Sequence, residues 1–97
     1  MFTIEEQGAG TFRLGGRFDA AQVDTAEASL GDAAGAVTLD LAELDYVASA
    51  GISVVLALFK RLHASGGSLK LINLTPHVYN VFKYAGLDQV LDIHAAG

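Results

Sequence analysis

The chain has 97 residues, of which 52% are hydrophobic, and a net charge of −5. This size suits one domain with a modest core, and the apolar content is too high for a disordered segment. The negative charge disfavours a nucleic-acid partner, and the absence of cysteine excludes disulfides, thiol nucleophiles and thiolate metal sites.

A β-hairpin is predicted at the start of the chain. Apolar and polar residues alternate over residues 2–5 and again over 11–14, which indicates two strands. Residues 7–10 between them include two glycines, which is typical of a turn. The pair Gly15-Gly16 is expected to end or bend the second strand.

The first helix is predicted to follow Asp19, which is a favoured N-cap residue. Gln22 lies three residues further on, as in a capping box, and Gly31 is placed to end the helix. The apolar face would consist of three residues at helical spacing: Val23, Ala26 and Leu30.

Residues 37–41 alternate as a third strand, residues 43–48 are predicted to be a connection, and a long helix follows with Ser49 as its N-cap. The helical spacing assigns to its buried face Ile52, Val55, Leu56, Phe59 and Leu62. The opposite face is a candidate docking face with Ser53, Ala57 and Lys60. The pair Gly66-Gly67 closes the helix.

The remaining pattern predicts a buried strand over 69–74, a helix and a short strand over 90–93. Thr75-Pro76 is typical of a helix start, and Gly86 suits a left-handed C-cap. The apolar face of this third helix comprises Val78, Val81, Phe82 and Ala85. The tail 95–97 is expected to be frayed.

The element order is β-β-α-β-α-β-α-β, which predicts a single α/β domain over residues 1–97. Strands separated by helices become parallel neighbours through right-handed crossovers, and the hairpin adds an antiparallel edge. We therefore expect a mixed sheet with three helices packed on it. The longest apolar run, residues 54–59, is too short to span a membrane, and no targeting segment is visible. A cytosolic monomer is expected.

Ser49 has two interpretations. On position alone it caps the helix, because serine is a preferred N-cap residue. Alternatively, a phosphate on Ser49 would face free backbone N–H groups at the positive end of the helix. It would add about two negative charges to an exposed surface and so exclude a partner that packs there.

The residues around Ser49 carry a family resemblance. Residues 46–52 read Y-V-A-S-A-G-I and follow an Asp-Leu strand. This segment resembles the signature of the STAS domain family and its anti-sigma-factor antagonists. Residues 16–19, 65–69 and 82–87 are similar to further family motifs in the same order, and so are Asn73, Pro76 and Val78.

The resemblance implies a STAS-like fold and a partner-switching mechanism. In the family, the unmodified antagonist binds an anti-sigma factor, often a serine kinase, and so frees a sigma factor for transcription. Phosphorylation of the serine ends the binding, and a serine phosphatase restores it. Ser49 aligns with that phosphoacceptor. The partner-binding surface is expected to include Asp19, Ala48, Ala50, Gly51, Ile52 and Ser53.

Ala48 departs from the family pattern, which often has Asp before the serine. The change removes a hydrogen-bond acceptor and a negative charge. It keeps open an alternative function: some STAS domains are constitutive adaptor subunits of lipid-transport ATPases and need no phosphorylation.

Other candidate sites are interpreted as structural. The glycine pairs Gly8/Gly10 and Gly15/Gly16 match no phosphate-binding spacing and are assigned to turns. No G-x-S-x-G elbow surrounds Ser49, so no catalytic residue and no cofactor are predicted. Solvated surface is favoured over a cation site for the acidic residues Asp40, Glu43 and Asp45. Surface positions are favoured over zinc ligation for the scattered His63, His77 and His94.

Overall fold

Five strands form one sheet in the order β1-β2-β3-β4-β5 in the computed structural model, which describes residues 1–96. The strands are β1 (Thr3–Gly8), β2 (Thr11–Phe18), β3 (Ala36–Val47), β4 (Ser68–Leu74) and β5 (Asp92–Ala95). The helices are α1 (Val23–Leu30), α2 (Ser49–Ala64) and α3 (Pro76–Tyr84). Two short 3-10 helices precede α1 and follow α3, over Ala20–Gln22 and Leu87–Gln89. The predicted mixed α/β fold is confirmed.

The sheet has one apolar and one polar face. β1 and β2 are antiparallel, and every later pair of neighbouring strands is parallel. Each crossover advances by one strand in the same direction, so right-handed connections place the three helices on one face. The side chains buried on that face include Leu14, Leu39 and Leu71, whereas Lys70 points to the open face and is exposed.

β3 is longer than predicted and corrects the expected connection over residues 43–48. It runs to Val47 because the second half of β2 pairs with it, with Gly15 opposite Glu43 and Phe18 opposite Val47. The register shifts beside Gly15, so the buried residues after Leu41 follow at three-residue spacing. The two glycines of β2 therefore bend the strand and do not end it, and Gly16 has a φ of +83°.

The strand ends also differ in detail from the prediction. β1 continues to Gly8, so the hairpin turn is confined to Ala9-Gly10. β5 begins at Asp92, whereas Val90 precedes it and is half exposed. The tail is not frayed at residue 96, because the Ala96 N–H donates to the Leu74 carbonyl at 2.9 Å. The last predicted tail residue, Gly97, lies outside the described residues.

The residues that cap the helix starts agree only in part with the sequence predictions. The Asp19 carboxylate accepts from the Ala21 N–H at 3.1 Å, so Asp19 caps the 3-10 helix before α1. Gln22 completes no side-chain box, since its N–H donates to the Asp19 carbonyl. Thr75 is the N-cap residue of α3 and Pro76 its first residue, as predicted, although the Thr75 hydroxyl donates to the Leu44 carbonyl at 3.4 Å and makes no side-chain cap bond.

The buried face of α2 is rotated from the predicted one. Its fully buried large residues are Val54, Val55, Leu58 and Leu62, and its half-buried ones are Ile52, Leu56 and Phe59. Periodicity could not locate the centre of this face, because residues 54–59 are all apolar. The predicted exposure of Ser53, Ala57 and Lys60 is confirmed. Within residues 1–96, no helix is both long enough and apolar enough to cross a membrane.

Candidate functional site

The N-terminus of α2 is fixed against the end of β2. The Ala48 N–H donates to the Phe18 carbonyl at 2.9 Å, and the Ala48 carbonyl accepts from the Ile52 N–H at 3.0 Å. Ala48 is therefore the N-cap residue, and Ser49 is the first residue of the helix. This corrects the predicted N-cap by one position. The bond to Phe18 holds Ala48 in an extended conformation, with φ −92° and ψ 171°, so the helix begins only after it.

Ser49 is exposed at the positive end of the 16-residue helix α2. The N–H groups of Ser49, Ala50 and Gly51 precede the first intrahelical bond and have no partner within the helix. The Ser53 hydroxyl donates to the Ser49 carbonyl at 3.1 Å one turn further on. Capping is thus not the role of Ser49, and its hydroxyl is available at the protein surface.

Gly51 allows the close contact between α2 and β2. It is buried, and a Cβ at this position would lie 2.8 Å from the Phe18 carbonyl oxygen and 2.9 Å from the Phe18 ring. Any larger residue would push the start of α2 away from the sheet. Gly51 therefore shapes the surface from beneath, while Ala50 and Ile52 are half-buried beside it.

Asp19 belongs to the same corner of the molecule. The bond between Phe18 and Ala48 joins the two segments, and Asp19 and Ser49 each follow one residue beyond that bond. Asp19 is half-buried because its carboxylate caps the following 3-10 helix. The fold thus collects the sequence candidates into one area, here called the Ser49 surface: Asp19, Ala48, Ser49, Ala50, Ile52 and Ser53.

Three stacked side chains lie next to the Ser49 surface, and the sequence patterns assigned none of them to it. Arg17 and Tyr46 face each other across β2 and β3, and the guanidinium carbon lies 4.2 Å from the ring centroid. Tyr46 also stacks with His77 of α3, at 6.3 Å between centroids and 19° between planes. The alternation of apolar and polar residues along each strand could be read from the sequence. The pairing of Arg17 with Tyr46 could not, because it depends on register shifts on both sides of Gly15-Gly16.

Apart from His77, which stacks on Tyr46, the other polar candidates do not join this surface. The Asp40 carboxylate accepts from the Asn73 side chain at 3.2 Å and from the Ala42 N–H at 3.0 Å. Glu43 and Asp45 are exposed on β3. The three histidines lie on α2, α3 and β5. In the described part of the chain, no group of three or more His, Asp or Glu side chains is placed to hold a metal ion.

Ala48→Asp is expected to raise the free energy of unfolding by about 1 kcal/mol. An N-cap carboxylate accepts from the free N–H groups of the first turn and faces the positive end of the helix. Urea denaturation measures the change. Ala48→Asn is the matched neutral cap, and a comparable gain there would assign the effect to hydrogen bonding. If neither variant is more stable than the parent protein, Ala48 is not the N-cap.

Comparison with known proteins gives one consistent result. The family model described as "Mlab, STAS domain" matches residues 2–92. BtrV of Bordetella bronchiseptica, assigned by name to the anti-sigma factor antagonists, is 42% identical over 74 residues, covering 76% of this chain and 58% of BtrV. The anti-sigma-B factor antagonist of Bacillus subtilis is 38% identical over 55 residues, covering 57% of this chain and 50% of that protein. The chain thus spans about half the length of these curated relatives.

A solved structure shares the fold over nearly the whole chain. The anti-sigma factor antagonist SpoIIAA in its unphosphorylated form has a TM-score of 0.76 at 24% identity, covering 96% of this chain and 87% of SpoIIAA. The phosphorylated form of SpoIIAA from Bacillus has a TM-score of 0.70 at 23% identity, covering 96% of this chain and 90% of that SpoIIAA chain. At these identities the likeness establishes the fold.

Proposed function

The chain belongs to the STAS domain family, as its motifs indicated, and on that premise we propose that it is a phosphorylation-gated partner-switching protein. Its unmodified form binds an anti-sigma factor that is also a serine kinase, and so frees a sigma factor for transcription. Phosphorylation of Ser49 ends this binding, and a serine phosphatase restores it. The names of the two sequence relatives, both anti-sigma factor antagonists, support this assignment.

The observation that carries the proposal is the position of the Ser49 hydroxyl. It is exposed, it does not cap α2, and it lies at the positive end of that helix. A phosphate there is compatible with the folded domain, because the helix terminus favours negative charge. The modification therefore changes the surface and leaves the fold intact, which suits a reversible gate.

The Ser49 surface suits close contact with a protein. Ala48 and Ala50 are small and neutral, and Ser53 adds a hydroxyl one helical turn away. Asp19 offers a carboxylate at the edge, where a basic side chain of the partner can pair with it. A phosphate on Ser49 would carry additional negative charge into this interface, and unless the partner matches that charge, its burial strongly opposes association.

The proposal is tested by the intact mass of the protein isolated from its native cells during growth and under stress. We expect a fraction that is heavier by one phosphate, which maps to Ser49 and is removed by a serine phosphatase. Ser53 on the same helix and Ser65 just after it serve as internal controls and should be unmodified. An unmodified Ser49 under every condition would count against the gate.

Ala48 favours one second candidate, a constitutive adaptor subunit of a lipid-transport ATPase. The N-cap residue provides no carboxylate beside Ser49, so the surface lacks a group that the family's phosphorylated members often carry. This function predicts stable co-purification with an ATPase subunit. It also predicts that substitution of Ser49 leaves that association unchanged, which separates it from the partner-switching function.

A further inference from the structure

Among the lysines and arginines of the described residues, Arg17 is the one on the strand segment that pairs beside the start of α2. Lys60 lies 11 residues further along α2, a distance of about 16 Å. Lys70 pairs with Thr38, at the opposite end of β3 from Ser49. The other basic residues lie elsewhere: Arg13 beside Asp40, Arg61 on the carbonyls of Leu30 and Ala33, and Lys83 in the last turn of α3.

The strand register brings Arg17 within reach of a group on Ser49. Arg17 lies opposite Tyr46, and Ser49 follows Tyr46 by three positions along the chain. With strands about 4.8 Å apart and a rise of about 3.3 Å per residue, the two Cα atoms are at most roughly 11 Å apart. A long arginine side chain and a phosphorylated serine can span this distance together.

The donor groups of Arg17 are free to bind an anion. The guanidinium packs its face against the Tyr46 ring at 4.2 Å, which leaves the N–H groups in its plane open. Within residues 1–96, no hydrogen bond or ion pair engages this guanidinium. Tyr46 is itself stacked on His77, so the support under Arg17 extends to α3. Stacking thus positions the Arg17 side chain, while its N–H donors stay available.

We propose that Arg17 binds the phosphate on Ser49 of the same chain through paired guanidinium–phosphate hydrogen bonds. The inference rests on the proposed function, in which Ser49 carries the phosphate. Arg17 offsets the repulsion between that phosphate and the Asp19 carboxylate, which lies in the same corner. The planar guanidinium can donate two parallel N–H bonds to two oxygens of the tetrahedral phosphate, and stacking on Tyr46 reduces the entropy lost on binding. Phosphorylation thereby engages the Arg17 donors beside the Ser49 surface in addition to adding charge.

The test is a ³¹P NMR titration of the protein with phosphoserine installed at position 49 during synthesis. A nearby cation stabilises the dianion, so the second pKa of the phosphate, about 6 in isolation, is lowered. In Arg17→Gln we expect this pKa to rise by about 0.5 pH unit relative to the parent protein. Tyr46→Leu should raise it by less. Lys60→Gln removes the same charge from an exposed site about 16 Å away and should leave it unchanged.

Two results would overturn the inference. One is a pKa that is the same in Arg17→Gln as in the parent, or that shifts equally in Lys60→Gln. The other combines two measurements. If inorganic phosphate binds the Arg17 side chain of the unmodified protein, and the phosphoserine pKa in Arg17→Gln equals that of the parent, then Arg17 binds an external anion and not the phosphate on Ser49. Arg17 is exposed, so the variant should retain the fold, which its ¹H–¹⁵N spectrum verifies. Because the phosphate is installed synthetically, the result does not depend on whether a kinase modifies Ser49 in cells.

Discussion

Ser49→Asp is expected to weaken binding to the kinase partner at least about 30-fold, while Ser49→Ala binds like the parent protein. In the proposed complex the partner packs on the small neutral residues Ala48 and Ala50, so the introduced carboxylate loses its water without a partner cation to pair with it. An unpaired buried charge costs about 2–5 kcal/mol, and each 1.4 kcal/mol corresponds to about a tenfold change in affinity. Isothermal titration calorimetry with the purified anti-sigma factor measures the loss.

Ser68→Asp provides the matched control for this effect. Ser68 is an exposed serine at the start of β4, opposite Ala36 and so at the other end of the sheet from Ser49. The same charge there should leave the affinity unchanged. Ser49→Asp should also unfold at or above the urea concentration of the parent, because a carboxylate in the first turn of α2 is favourable. If Ser49→Asp binds the kinase normally, the electrostatic gate is wrong.

Phe18→Ala is expected to lower the free energy of unfolding by about 3–5 kcal/mol. The side chain is 1% exposed, and its ring packs on Phe2 at 4.9 Å between centroids and against Gly51. Removing the ring leaves a cavity where the hairpin, β2 and the start of α2 meet. A domain of this size has a total stability of about 5–15 kcal/mol, so a large share is lost. Urea denaturation monitored by circular dichroism gives the difference.

Tyr84→Ala is the control for the aromatic substitution. Tyr84 is 84% exposed in the last turn of α3, and its loss should change the stability by no more than about 0.5 kcal/mol. A cost of less than about 1 kcal/mol for Phe18→Ala would contradict the packing of Phe18 beneath Gly51. Binding is then measured with Phe18→Leu, which retains most of the buried volume and should keep the Ser49 surface closer to its native form.

The sequence was sufficient wherever one residue or a short periodic pattern has a strong local preference. Pro76 starts α3 because its fixed φ suits the first helical position, and Gly86 adopts a φ of +77° after the helix, as predicted. Ala26 and Leu30 are buried one turn apart on α1. These preferences, together with the handedness of the crossovers, determined the order of elements and the fold class.

Only the tertiary structure decided which residues meet at the Ser49 surface. The extension of β3 to Val47, the shift of the N-cap to Ala48 and the stacking of Arg17 on Tyr46 all depend on how β2 pairs with β3. That pairing includes two register shifts, whose energies come from contacts between residues about 30 positions apart in the chain. Local propensity cannot determine such a register, because moving one strand by a single residue preserves its own pattern while changing every neighbour across the sheet.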